Sequence, residues 1–391
     1  MPLESRRMPA ATRLRSLLTR NRDGRPTSPD DGSATPSVAP SAPGAGPRPA
    51  SPPDAPAARD AMTEAERLIR DRRLVEAVDL LAAAYRADPA PELAIRLVEL
   101  RHEAACASDP GPGRSLWPPA YRDSFPEVSG RLPEVDTAEL TTDALGGAVA
   151  HHGALVVRGV LDDAQVRRSV EAIHVTQARR DAANGGGEGT EWYRAFPVPR
   201  PQDQILRKMV AEQGGTWLAD SPASTAHFLD ALASASVIDV IADHLGERPF
   251  FSLQKSTMRR SPPEDKIVAW HQDGSFLDDG VRTINVWVAL SRCGGDYPSP
   301  GLEVLPRRLE EILPIEGTLS PHAIYFDIVD ALAADTPTIC PEFAPGDALM
   351  FDERFLHRTH THRLMTEDRY ALECWFFAPS HRSTGYLPLL V

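Results

Sequence analysis

Cysteine is scarce in this sequence, with four residues in a chain of 391. Cys106, Cys293, Cys340 and Cys374 are far apart, and no two of them form a Cys-x-x-Cys pair. Zinc ribbons and disulfide-rich scaffolds need closely spaced cysteines, so this spacing excludes both. Reduced thiols are expected instead, and with them a cytoplasmic location.

Long apolar runs and excess positive charge are also lacking. No run of about 18 apolar residues occurs, so the sequence predicts no membrane-spanning helix. The formal net charge is -13 and the sequence pI is about 5.4. Because nucleic acids and anionic membranes repel a chain this acidic, neither is expected as a partner.

Proline, in contrast, is plentiful, with 37 residues concentrated near the start. Residues 1–60 are rich in Pro and Ala and predict a disordered tail. Residues 61–108 have apolar residues at spacings of three and four, which predict a helical hairpin similar to a tetratricopeptide unit. One such unit cannot stand alone, so residues 62–107 should pack on the next domain or on a protein partner. Residues 109–140 form a connecting segment.

Residues 141–391 have the pattern of a strand-rich domain. One helix is predicted over residues 224–245, and short strands follow it. In several of these strands apolar and polar residues alternate with period two. These strands are Phe250–Met258, Ile267–His271, Thr283–Leu290, Leu302–Pro306, Ile324–Asp327, Thr336–Cys340, Ala348–Phe351 and Tyr370–Phe377. Many strands with few helices between them favour an antiparallel jelly roll over a Rossmann sheet. We therefore predict an α+β fold with a double-stranded β-helix (jelly-roll) core and flanking helices.

A His-x-Asp pair lies at the end of a predicted strand. Side chains two apart on an extended chain face the same way, so His271 and Asp273 can reach one metal ion. The third ligand must come from a distant strand, and His357 is preferred. His360 and His362 lie three and five residues further on and would face the other way on a continuing strand. Two imidazoles and one carboxylate suit Fe(II), because they leave positions open for O₂ and a bidentate co-substrate.

Arg369 follows His357 by twelve residues, at the start of the last long strand. Its guanidinium can pair with a carboxylate through two hydrogen bonds, as the distal carboxylate of 2-oxoglutarate requires. Thr359 is two residues from His357 and could add a hydroxyl on the same side. Arg363 is the rival cation, but its position predicts a turn.

The segment from about residue 150 to 380 resembles the phytanoyl-CoA dioxygenase family of Fe(II)/2-oxoglutarate oxygenases. The matching pieces are Gly153–Leu161, Trp270–Gly274, Asn285–Leu290, Gly301–Pro306 and Leu356–Thr359, followed by Arg369. The resemblance implies that Fe(II), 2-oxoglutarate and O₂ are the cofactors and that no catalytic residue acts beyond the metal centre. It implies iron ligation by His271, Asp273 and His357, and binding of the 2-oxoglutarate carboxylate by Arg369 and Thr359.

Further positions are expected to touch co-substrate or substrate. The resemblance implies this for Trp287, Gln254 and Ser256. Aromatic residues that could line an apolar substrate pocket are Trp192, Tyr193, Trp217 and Phe276. One loop departs from the family pattern, with Pro300 in place of a glycine and Arg307–Leu309 in place of Gly-Ser-His. Since that loop borders the active site in the family, the departure concerns the substrate class.

The resemblance implies a dioxygenase that hydroxylates a small molecule, such as a secondary metabolite, a lipid-like compound or an amino-acid derivative, and releases succinate and CO₂. Related halogenases replace the carboxylate at Asp273 with a small residue, so its presence favours hydroxylation. Two alternatives are a catalytically inactive scaffold that binds a protein through its N-terminal helices, and a cupin-like metalloenzyme without 2-oxoglutarate. The intact ligand set with Arg369 argues against both.

Overall fold

The structure is a computed structural model that describes residues 56–264, 268–316 and 322–391. All of these residues belong to one compact unit. The predicted tail, residues 1–60, lies outside the described residues except for its last five, which already belong to the first helix.

Three consecutive helices open the described chain. They are α1 (Pro56–Arg70), α2 (Leu74–Ala87) and α3 (Pro91–Ala107). The chain is extended at Asp88 and Ala90, because each precedes a proline and the proline ring disfavours helical geometry in the residue before it. Pro91 then starts α3 at a position where its missing N–H is not needed.

The apolar face of these helices packs against the rest of the unit. Leu93 and Leu97 of α3 share a buried cluster with Phe250 and Leu390. The buried guanidinium of Arg101 donates a hydrogen bond from Nη1 to the carbonyl oxygen of Leu390, at 2.6 Å. The sequence left open whether this apolar face packs on the next domain or on a protein partner. In the structure it packs on the next domain of the same chain.

Six further helices flank the sheets within the described ranges. They are α4 (Thr142–His152), α5 (Asp163–Asn184), α6 (Pro201–Glu212), α7 (Pro222–Ser234), α8 (Val237–Leu245) and α9 (Phe326–Asp335). The single helix predicted over 224–245 is wrong, because Ser236 adopts a left-handed φ of 57° and separates α7 from α8. No single described helix is long and apolar enough to cross a bilayer, although α7 and α8, bent by 78°, meet that test as a pair.

The strands form two sheets. They are β1 (Glu134–Asp136), β2 (Ala154–Arg158), β3 (Gly215–Trp217), β4 (Phe250–Ser252), β5 (Thr257–Ser261), β6 (Thr283–Ala289), β7 (Gly301–Val304), β8 (Ala348–Phe351), β9 (His357–His360), β10 (Arg369–Phe377) and β11 (Pro388–Leu390). In the described chain the larger sheet runs β1-β2-β8-β6-β10-β4-β11, with β5 pairing with both β10 and β3. Among the strand pairs of the described residues, β1 and β2 alone are parallel.

Strand β6 explains how this sheet divides the core. All seven of its residues are buried, so no polar face marks it in the sequence. Ile284, Val286 and Val288 pack into the main cluster beneath the helices, while Trp287 belongs to a separate cluster on the other face. Because side chains alternate along a strand, this second face is the one that meets the smaller sheet.

The smaller sheet pairs β7 with β9. Single bridges extend it on both sides, from His271 to His357 and from Val304 to Ile339. The predicted strand Thr336–Cys340 is reduced to the second of these bridges. The predicted strand Ile324–Asp327 is wrong, since α9 begins at Phe326 and only Ile324 keeps a bridge. The two sheets face each other as an α+β jelly roll with flanking helices, as predicted.

Candidate metal and co-substrate site

Two histidines and one aspartate meet at the edge of the smaller sheet. His271 and His357 exchange two backbone hydrogen bonds, both of 3.1 Å, which hold their chains side by side. Asp273 follows in a short 3₁₀ turn. One potential ligand atom from each of the three residues lies within 4.8 Å of the others. The structure therefore brings together the three residues that the sequence singled out.

The backbone orients both imidazoles. Nδ1 of His271 lies 3.1 Å from the carbonyl oxygen of Ala269, and Nδ1 of His357 lies 3.0 Å from that of Phe355. Each Nδ1–H can donate to its carbonyl, which leaves the Nε2 lone pair free to bind a metal ion. Both histidines are thus set in the tautomer that a metal site requires.

Asn285 of β6 fixes the carboxylate. Its Nδ2 donates to Oδ2 of Asp273 at 3.0 Å. The other oxygen, Oδ1, lies 4.0 Å from Nε2 of His357. A metal ion would therefore meet one oxygen of a carboxylate whose orientation is already set by the amide.

Burial controls the protonation of the three side chains. It lowers the pKa of His271 to about 4, and the neighbouring His357 ring lowers it further. It also lowers the pKa of His357. Burial raises the pKa of Asp273 to about 6, against the opposing effect of His271. A buried carboxylate beside two neutral imidazoles is costly to keep charged, and a divalent cation would relieve that cost.

The donor set fits an iron ion. Two imidazole nitrogens and one carboxylate oxygen, with space beside them, are the arrangement that suits Fe(II) with an open face. The neighbouring histidines are used elsewhere. Nδ1 of His360 lies 3.6 Å from Oε2 of Glu303, and Nδ1 of His362 accepts a hydrogen bond from the backbone N–H of Leu364. Among the described residues, His357 is the histidine that completes the cluster with His271 and Asp273.

Arg369, the first residue of β10, is 2% exposed. Its Nη1 donates to the carbonyl oxygen of Gly301 at 3.0 Å, and its Nη2 to Oγ of Ser261 at 3.2 Å. Its Nε is buried without a hydrogen-bond partner in the described chain. The rival cation, Arg363, lies exposed in a turn. The guanidinium of Arg369 can therefore still accept a carboxylate.

Trp287 of β6 borders the same space. The guanidinium carbon of Arg369 lies 5.5 Å from the centre of its ring. Its Nε1 is a second buried donor for which the described residues offer no acceptor. Thr359 of β9 lines the same cavity. The buried guanidinium of Arg369, its free Nε–H and the Nε1–H of Trp287 together fit the distal carboxylate of 2-oxoglutarate.

A cavity of about 850 Å³ joins the metal ligands to Arg369. Of the predicted site residues, its walls include His271, Asp273, His357, Arg369, Thr359, Trp287, Gln254 and Phe276. The ring of Phe276 lies 5.6 Å from that of His271, between centres. The volume lies within the range of small-molecule sites in proteins.

Two positions on the strand before the His-x-Asp pair differ from expectation. The predicted strand Phe250–Met258 is interrupted by a turn, so Gln254 and Ser256 do not share a face of one strand. The amide of Gln254 lies on the cavity wall, but its Oε1 accepts a hydrogen bond from the backbone N–H of Leu387. Ser256 is not part of the wall, and its Oγ accepts from the N–H of Trp375.

Three of the four aromatic candidates lie away from the cavity. Trp217 is fully buried in β3, with the guanidinium of Arg207 4.6 Å from its ring centre. Trp192 and Tyr193 precede α6 and are likewise not among the wall residues. Phe276 is the aromatic candidate that the structure brings to the metal ligands.

The unusual loop is also displaced from the cavity. Arg308 forms a buried ion pair with Asp352, and Arg307–Leu309 are not among the wall residues of the described chain. Pro300 does line the cavity. The departure from the family pattern therefore touches the site at Pro300 rather than at the two arginines.

Sequence reasoning missed several cavity residues, among them Lys255, Asn285, Glu373 and Trp375. Asn285 could have been found, because it alternates with Trp287 on one strand. Glu373 is the one charged residue between Tyr370 and Phe377, and a charge in an apolar strand needs a reason.

Comparisons with known proteins bear on the family. The family model of phytanoyl-CoA dioxygenase (PhyH) matches residues 149–296, a stretch that contains His271 and Asp273 and ends before His357. A search of curated proteins found no match.

Several solved structures resemble the chain. EctD from S. alaskensis in its apoform is 16% identical over 69% of this chain and 85% of that chain, with a TM-score of 0.45. EctD with 2-oxoglutarate and 5-hydroxyectoine is 18% identical over 70% and 88%, with a TM-score of 0.43. The 2-oxoglutarate-dependent carbocyclase SnoK from nogalamycin biosynthesis is 14% identical over 63% and 86%, with a TM-score of 0.41.

The family match and the site geometry agree. The matched segment contains two of the three candidate metal ligands, and the fold adds His357 and Arg369 from strands beyond it. The resemblance seen in the sequence is thereby confirmed. Residues 149–296 thus match a phytanoyl-CoA dioxygenase (PhyH) domain, and members of that family use Fe(II), 2-oxoglutarate and O₂.

Proposed function

We propose that this protein is an Fe(II)/2-oxoglutarate-dependent dioxygenase that hydroxylates a small molecule. One observation carries the proposal: a single cavity contains both the cluster of His271, Asp273 and His357 and the buried guanidinium of Arg369. A metal site alone would not need a buried cation facing it, whereas a keto acid that chelates iron and carries a second carboxylate does.

The proposed roles follow from the contacts. His271, Asp273 and His357 hold the iron, and Asn285 keeps one carboxylate oxygen directed at it. Arg369 binds the distal carboxylate of 2-oxoglutarate, with Thr359 and Trp287 beside it. With both groups bound, the site supplies an oxidation in which substrate, O₂ and 2-oxoglutarate become hydroxylated substrate, succinate and CO₂.

The position of Phe276 indicates where the substrate lies. Its ring touches the His271 side of the cluster, whereas Arg369 lies toward Gly301 and Ser261. We therefore place the primary substrate on the Phe276 side of the cavity.

The test is succinate formation by the purified full-length protein. The wild-type protein, loaded with Fe(II) and supplied with 2-oxoglutarate and O₂, should form succinate slowly alone and faster with compounds from a metabolite panel. The variant Asp273→Ala should form none above the level of free iron. Equal succinate formation by both proteins would refute the proposal.

A further inference from the structure

Lys255 lies on the wall of the cavity, in the turn that interrupts the strand between β4 and β5. Its ammonium faces three aromatic rings. Nζ is 4.1 Å from the ring centre of Phe276, 4.9 Å from that of Trp375 and 5.4 Å from that of Tyr386. All three distances lie within the reach of cation–π attraction, so the rings fix the position of the charge.

The ammonium has no acceptor of its own. No hydrogen bond or ion pair within the described ranges involves Nζ of Lys255. The neighbouring cations are engaged, since Arg259 pairs with Glu373 at 3.2 Å and Arg369 donates to Gly301. Lys255 is half-buried on the cavity wall, and aromatic rings offer its N–H donors no oxygen acceptor, so a ligand in the cavity can supply one.

Formal charges around the metal position balance without this lysine. Asp273 and 2-oxoglutarate carry three negative charges, and Fe(II) with Arg369 carries three positive charges. Glu373 is neutralised by Arg259. When iron and 2-oxoglutarate are bound, Lys255 is the surplus cation in this group, and the surplus lies next to Phe276.

The choice of residue is unusual in this chain. It contains three lysines against 39 arginines. Lys208 is an exposed residue of α6, with 79% of its side chain accessible, whereas Lys255 lines the cavity. A compact ammonium fits between aromatic rings and meets one acceptor group, where the planar guanidinium of arginine would need more room.

We propose that Lys255 is a specificity-determining residue that binds a carboxylate of the primary substrate, whose apolar part lies against Phe276 and Trp375. One positive charge balances one carboxylate, whereas a phosphate monoester carries nearly two negative charges at neutral pH. This inference rests on the proposed function, because the charge count includes bound iron and 2-oxoglutarate. It narrows the substrate class to carboxylic acids with an apolar or aromatic body.

The experiment compares acids with their neutral amides on the anaerobic, full-length protein loaded with Fe(II) and 2-oxoglutarate. The probes are phenylacetate, indole-3-acetate and octanoate, each paired with its primary amide, and binding is measured by equilibrium dialysis at millimolar concentration. In the wild-type protein at least one acid should bind about tenfold or more tightly than its amide, as one charge-assisted hydrogen bond predicts.

The variant Lys255→Met should lose that preference by binding the acid more weakly while binding the amide unchanged. Lys255→Arg should keep part of the preference, and Lys208→Met should keep all of it. If no acid is preferred by the wild-type protein, or if Lys255→Met keeps the preference, the inference is wrong.

A separate titration with 2-oxoglutarate distinguishes this inference from the proposed function. Lys255→Met should bind 2-oxoglutarate as the wild-type protein does. Weaker 2-oxoglutarate binding by this variant, with no change for the acids, would assign Lys255 to the co-substrate and overturn the inference. If the wild-type Fe(II) protein does not bind 2-oxoglutarate at all, the proposed function itself fails.

Discussion

Replacing Arg369 with methionine should weaken 2-oxoglutarate binding more than any change on the nearby surface. The guanidinium is buried, and two of its N–H groups already bond to Gly301 and Ser261. Its Nε–H and one N–H on each Nη remain for a carboxylate. Methionine has a similar length and no charge, so Arg369→Met removes the cation without opening a large void.

The expected loss of 2-oxoglutarate affinity follows from these hydrogen bonds. Two charge-assisted hydrogen bonds in a water-excluded site contribute about 1.5–3 kcal/mol each, and truncating one partner of a buried pair costs about 2–5 kcal/mol. A central value of about 3 kcal/mol corresponds to a Kd for 2-oxoglutarate that is about 100-fold higher. Iron binding should be unchanged, because Arg369 is not among the three proposed metal ligands.

The assay is anaerobic calorimetric titration of the Fe(II) protein with 2-oxoglutarate. Arg363→Met is the matched control, since it removes an exposed arginine from the turn before β10. Thermal unfolding of both variants checks that they fold. A loss of less than about threefold in Arg369→Met, which is under 1 kcal/mol, would refute the reasoning, as would an equal loss in Arg363→Met.

Two further predictions concern histidines. His357→Ala should lower iron affinity at least about tenfold, and His360→Ala should leave it unchanged, as measured by metal analysis after dialysis. His244 is buried beside Trp117 and Tyr121, and burial lowers its pKa to about 4 from 6.5. The unfolded chain therefore takes up a proton first as pH falls below 6.5, and the free energy of unfolding drops by about 3 kcal/mol down to pH 4. Denaturant unfolding of His244→Phe should show a pH dependence weaker by that amount, and an unchanged dependence would count against the assignment.

The fold class could be predicted because many segments of the sequence show the same pattern of a short apolar run between turn residues. Strands β6 and β8 were found almost to the residue, since short apolar runs between turn residues are typical of buried strands. The errors lie where a single residue determines whether a helix or a strand continues. The left-handed Ser236 splits a helix whose apolar spacing continues across it. The apolar run at Ile324 was read as a strand, although α9 begins two residues later.

Within the site, residues that lie close together in the sequence could be predicted, whereas residues brought in by long-range packing could not. His271 and Asp273 lie two residues apart, so they stay close together even though Asp273 lies in a 3₁₀ turn and not in a strand. Lys255 and Trp375 reach the same cavity through long-range packing that no local pattern encodes. Trp217 was predicted to line the pocket but is buried in the core. The sequence alone does not distinguish an aromatic residue that fills the core from one that lines a pocket.

The most direct test of the central claim is the visible absorption of the wild-type protein under anaerobic conditions. Addition of Fe(II) and then 2-oxoglutarate should produce a charge-transfer band that saturates at one equivalent of each per chain, because a set of two imidazoles and one carboxylate leaves coordination positions open for a keto acid. The account predicts that neither addition alone produces the band. Stoichiometric iron binding with no band, even at millimolar 2-oxoglutarate, would contradict it.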